Sequence, residues 1–201
     1  MEAHSSAGVL LIHEGKPSGV SRAAERRLAG TGLVVLAAEL APEVMASDRP
    51  ALREIERALE ALAQRSGVDR ARLAAVGFGR GGTLAFLLGC ARRLAAVVDV
   101  DGPVLYSELS AARPIQPLEL ALNLEGAFLG LFAADGPVGA EERELLRGRL
   151  SAAARPFELF VSSGKEIVVD PRGLGYDEGR AKELWERVLA FLEEHLAAES
   201  D

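Results

Sequence analysis

A glycine-rich turn, Gly77-Phe78-Gly79-Arg80-Gly81-Gly82, follows the apolar run Leu73-Ala74-Ala75-Val76 and precedes a helical pattern from Thr83 to Arg92. Strand, tight turn and helix in that order form the setting of a nucleophile elbow, G-x-S-x-G, which presents a Ser or Cys side chain on a strained turn for acyl transfer. The middle residue here is Gly79. The setting for covalent catalysis is present and its nucleophilic atom is missing. Whether the chain is an enzyme at all is therefore the leading question.

Other chemistry can be placed on the same residues. The turn also fits G-x-G-x-x-G, a pattern that cradles the pyrophosphate of a dinucleotide, and Asp99 and Asp101 follow where a ribose-binding acid would stand. Against that reading, the motif follows the third strand rather than the first. Relocated nucleophiles are a further option. Cys90 lies inside the helical pattern among Leu84, Phe86, Leu87 and Leu88, which suits a packed thiol. Ser107, Ser162 and Ser163 fall in loops with no base partner in view, and the last two serve equally as turn residues. Of the three histidines, His4 is in the terminal tail, His13 ends the first apolar run and reads as structural, and His195 reads as a surface residue of the last helix.

The elements that hold these residues come from a chain of 201 residues at 49% hydrophobic composition, which suits one domain spanning 1–201. A net charge of −7 argues against a nucleic-acid partner. One cysteine excludes an internal disulfide and suits a reducing compartment. The first residues have no basic n-region, and the apolar stretch ending at His13 is too short for a membrane span, so a cytoplasmic location is expected.

Gly8–Ile12 is a continuous apolar run that reads as a strand buried on both faces, and Leu33–Ala37, Leu73–Val76, Ala95–Val100, Ala127–Phe132 and Phe157–Val161 read as five further strands. Between them lie helical patterns at Ser21–Ala29, at Leu52, Ile55, Leu59 and Leu62, and at Glu141–Leu150. A closing helix from about Glu178 to Leu196 would place Leu184, Val188, Phe191 and Leu192 inward. Strands alternating with helices predict an α/β protein with a parallel sheet covered on both sides, a three-layer α/β/α sandwich. Residues 103–125, with Pro114 and Pro117, predict a loop with a short helix beside the site.

From Gly8 to Leu196 the chain resembles the dienelactone hydrolase family of α/β-hydrolases. The resemblance rests on Leu11-Ile12-His13-Glu14, on Val76 to Gly82, on Leu129 to Asp135, and on Glu183 to Leu192. It implies six parallel strands in the order 2-1-3-4-5-6, without the N-terminal edge strands of longer members. It also implies a triad of Cys or Ser at the elbow, Asp after the fifth strand and His after the sixth. Carried over, these positions are Gly79, Asp135 and Lys165, so the resemblance implies a degenerate triad in which only the acid is kept.

A lysine with an ordinary pKa near 10.4 cannot act as a neutral-pH base unless burial or neighbours lower it strongly. The expectation is a non-hydrolytic protein, with no cofactor and no metal, that binds a small anionic ligand or a protein partner. The ligand-binding candidates are Glu14, Arg80, Gly81 and Lys165. The family's oxyanion hole uses the backbone N–H at the position of Arg80, which survives any change of side chain. The competing expectation is an active ester or lactone hydrolase with relocated residues.

Overall fold

A computed structural model describes residues 5–14, 19–169, 171 and 175–198. Six strands, β1 (Ser6–Glu14), β2 (Val34–Leu40), β3 (Val68–Phe78), β4 (Ala96–Val100), β5 (Ala127–Ala133) and β6 (Phe157–Ser162), form one sheet. Their order is β2-β1-β3-β4-β5-β6 and every pairing is parallel. The helices are α1 (Gly19–Ala29), α2 (Pro42–Met45), α3 (Asp48–Ala63), α4 (Arg80–Ala91), α5 (Ala140–Ala153) and α6 (Glu178–His195).

The apolar runs lack an apolar–polar alternation because both faces of the sheet are covered. Along β1, Leu10 and Ile12 enter the core built with α2, α3, α4 and α5, whereas Val9 and Leu11 enter the core built with α1 and α6. On β5, Phe128 and Phe132 join the first core while Leu129 and Leu131 join the second. The two-residue period of a strand thus feeds two separate cores, giving three layers. Helix α4 is buried nearly all round, from Gly81 to Gly89, because it lies between the sheet and its neighbours.

Most expected elements stand within a few residues of their predicted bounds. Leu184, Val188, Phe191 and Leu192 do face the core, joined by Trp185. Strand β3 begins earlier than the apolar run, because the polar stretch from Val68 pairs with Ser6 across a register shift. Helix α2 was not expected from the sequence: Pro42 starts it at N1, and it lasts one turn. In the 103–125 segment the short helix is a 3-10 turn, Pro117–Asn123.

Candidate functional site

Gly79 caps α4 with φ 53° and ψ −123°, the sharp turn of an elbow. Its N–H donates to the Val100 carbonyl at 2.7 Å, and its own carbonyl accepts from Gly82 N–H at 2.9 Å. The glycines around it are needed for close approach. A Cβ on Gly77 would stand 2.0 Å from the Gly81 carbonyl oxygen, and one on Gly82 would stand 2.0 Å from Asp99 Oδ1. A Cβ on Gly79, by contrast, would meet no atom within 4 Å. The elbow therefore projects into open space at the carboxyl ends of the strands. Because α4 begins at Arg80, the first-turn N–H groups of Arg80 and Gly81 have no intrahelical acceptor.

Asp135 lies just past β5 and Lys165 just past β6, both exposed. Their loops are joined: Ala134 N–H donates to Ser162 O at 2.7 Å and Asp135 N–H to Gly164 O at 2.9 Å. Asp101 ties this pair of loops to the end of β4. Its Oδ1 accepts from Ala133 N–H and its Oδ2 from Ile167 N–H, each at 2.7 Å. Burial pushes this carboxyl up, and the two amide donors pull it the other way. Gly79, Asp135 and Lys165 therefore all lie at the carboxyl end of the sheet, past β3, β5 and β6, with ties through Val100 and Asp101 between them. Among the described residues, Asp135 and Lys165 do not form an ion pair with each other. Glu14 closes β1 in register with Leu40, and its side chain lies outside the described residues.

The Arg80 side chain reaches α2, the start of α3 and Tyr106. Its Nε donates to Met45 O at 3.1 Å, its Nη1 to the Tyr106 hydroxyl at 2.6 Å, and its Nη2 to Asp48 Oδ1. Its guanidinium is thus committed to these three acceptors, while its backbone N–H stays at the elbow. Asp48 and Tyr106 are far from Arg80 in the chain and carry no motif that would mark them in the sequence.

The acids weighed for a ribose have other partners. Asp99 is fully buried under Gly82 and Gly102, with Oδ1 accepting Gly102 N–H at 2.8 Å, and Asp101 holds the two loops. Close packing accounts for Gly77, Gly81 and Gly82, so the G-x-G-x-x-G spacing needs no pyrophosphate to explain it.

Cys90 packs against the first core, and burial pushes its thiol up to about 12. At neutral pH it is an inert thiol. His13 is buried at the end of β1, and the His195 ring packs edge-on to Phe191 at 4.5 Å, half-buried rather than fully at the surface. Among the described residues no cluster of His, Cys, Asp or Glu could hold a metal ion, and no helix is long and apolar enough to cross a membrane.

A model of the dienelactone hydrolase family matches residues 2–196. Proteins named carboxymethylenebutenolidase from Saccharolobus solfataricus and Salmonella typhi are each 32% identical, over 123 and 137 residues. The matches cover 60% and 66% of this chain but 44% and 50% of those proteins, so the matched part spans about half of their length. A Klebsiella pneumoniae protein named a dienelactone hydrolase superposes with a TM-score of 0.81 at 25% identity, over 94% of this chain and 88% of that one. A dienelactone hydrolase-like promiscuous phosphotriesterase from metagenomic libraries shares the fold, with a TM-score of 0.78 at 21% identity, over 96% and 87% of the two chains.

Proposed function

Because the chain belongs to the dienelactone hydrolase family of α/β-hydrolases, we propose that it retains the family scaffold without hydrolysing through the family's triad, and binds a small anionic ligand at the elbow. One observation carries this reading: the elbow keeps its sharp turn and its open front, while its apex, Gly79, has no side chain. Acyl transfer needs a nucleophilic atom at that point and a base that exchanges a proton near neutral pH. Gly79 supplies no such atom. Loss of the nucleophile alone costs about 10⁶-fold in kcat in a well-studied serine hydrolase.

Anion binding draws on what the turn retains. The N–H groups of Arg80 and Gly81 lie at the positive end of α4, an arrangement that favours negative charge. Lys165 brings a cation to the same carboxyl end of the sheet, and Asp135 opposes it, which favours a compact anion over a polyanion.

The test pairs turnover with binding. Small activated esters and lactones should turn over no faster than in buffer, and serine- or cysteine-directed probes should leave the elbow unlabelled. Inorganic phosphate or acetate should raise the melting temperature saturably, and Lys165→Ala should weaken that effect. Robust turnover that survives Cys90→Ala would replace this reading with an active hydrolase.

A further inference from the structure

The sheet ends on an open strand. β6 stands at one edge of the order β2-β1-β3-β4-β5-β6 and pairs only with β5. Phe128 N–H donates to Pro156 O at 3.0 Å and Ala134 N–H to Ser162 O at 2.7 Å. Residues whose backbone groups face the neighbouring strand alternate along a ladder, so Glu158, Phe160 and Ser162 turn theirs to β5. Phe157, Leu159 and Val161 turn theirs outward, and no group among the described residues pairs with them.

Strands that stay single at an edge carry devices against pairing, with lysines, prolines and bulges among them. β6 has none of these three, and its one charge is the exposed Glu158. On one face, Phe157 and Leu159 pack partly buried against the first core, and Val161 beside them is 44% exposed. On the other face, Phe160 packs against the second core with the Arg187 guanidinium 3.8 Å from its ring centre. Among the described residues that guanidinium has one acceptor, Glu183 at 3.3 Å from Nη2, and Glu158 has no ion-pair partner.

We propose that β6 is a homodimer interface, at which two copies of the chain pair antiparallel about a two-fold axis at Leu159 and join their sheets. Leu159 then faces the partner's Leu159, and Phe157 faces the partner's Val161, each pair exchanging both backbone bonds. This register satisfies every outward group of the strand, and a two-fold interface requires a surface that matches itself. It lays Val161 beside the partner's Phe157. It also sets Glu158 opposite the partner's Phe160, with Cβ atoms about 5 Å apart, beside the partner's Arg187. An unpaired carboxylate thereby meets a guanidinium with donors to spare, once on each side of the axis. Moving the axis to Glu158 would set the two carboxylates face to face, which is destabilising. A foreign strand would find the same backbone groups, but the match of Glu158 to Arg187 is carried by this chain itself and selects a second copy. None of this depends on an anion at the elbow.

Sedimentation velocity of the full chain over a concentration series tests the interface. At about 100 μM most of the protein should be dimer, as a micromolar Kd gives. Val161→Lys, at an exposed position, should raise that Kd by about tenfold or more while the circular dichroism spectrum stays unchanged. Glu158→Lys and Arg187→Glu should each raise it by about tenfold, and the double exchange should recover most of the loss. A monomer at that concentration, a dimer indifferent to Val161→Lys and Glu158→Lys, or a double exchange without recovery would each overturn the proposal.

Amide exchange reads the register residue by residue. The N–H groups of Phe157, Leu159 and Val161 should slow by about tenfold or more as the concentration rises through the Kd. Those of Glu158, Phe160 and Ser162, already turned to β5, should keep their rates. A dimer that leaves the Leu159 amide as fast as in the monomer would mean that the copies meet on another surface.

Discussion

A Cβ on Gly81 would stand 2.3 Å from the carbonyl oxygen of Ile12, so α4 begins with its backbone pressed against the end of β1. Two residues earlier, Gly79 has open space around the same vector. The two glycines of one turn are thus glycine for different physical reasons, one spatial and one conformational.

Gly81→Ala and Gly79→Ala should separate those reasons. At Gly81 the methyl meets backbone that cannot yield without shifting β1 against α4, so a loss of about 3 kcal/mol or more is expected. At Gly79 the cost is that of a positive φ, about 1–3 kcal/mol. Denaturant midpoints of the two variants check the order, and a Gly81→Ala protein at least as stable as Gly79→Ala would contradict it.

Asp99 makes the fold lose stability as pH rises. Its Oδ1 has the Gly102 amide, while Oδ2 has no partner among the described residues. Burial raises its pKa well above the usual carboxyl range; the Gly102 bond opposes this, and Asp101 and Glu142 add to it. The folded state therefore keeps a proton that the unfolded chain releases above about pH 3.9. Stability falls as pH rises from there toward the folded value, by at most about 1.4 kcal/mol per pH unit. Asp99→Asn cannot titrate, so its stability relative to the parent should improve between pH 5 and pH 8. A difference that stays constant over that range would show that Asp99 is not held protonated.

Much of this arrangement was legible in the sequence because apolar runs and helical periods are local signals. The six strands, their order through the family resemblance, and the elbow at Gly79 all come from stretches of a few residues. The polar ties were not legible. Arg80 meets Tyr106 and Asp48 across 26 and 32 residues of chain. Asp101 reaches Ile167 across 66. A single sequence records such pairings only as isolated polar residues, which is why Asp101 invited a ribose reading when its carboxylate holds two loops together.

Reduced nicotinamide dinucleotides should fail to stabilise the protein. Asp99 is sealed beneath Gly82, and both oxygens of Asp101 already accept backbone amides. A ribose would find neither acid without dismantling the turn. At millimolar NADH or NADPH the melting temperature should be unchanged. A saturable rise that Asp101→Asn abolishes would reinstate the nucleotide reading.

Rebuilding the triad tests the scaffold most directly. Gly79→Cys adds a Cβ that meets no non-adjacent atom within 4 Å and carries a thiol at the positive end of α4, which favours the thiolate. Lys165→His places a base in the loop bonded to that of Asp135, through Asp135 N–H and Gly164 O. The single Gly79→Cys change should lower stability by about 1–3 kcal/mol, the cost of a side chain at positive φ. Neither single change should give more than trace turnover of an activated ester, because nucleophile and base act as a unit. The double variant should exceed both, with a rate that rises as the new histidine loses its proton near pH 6.5. Double-variant turnover no greater than that of Gly79→Cys alone would place the base position somewhere other than residue 165.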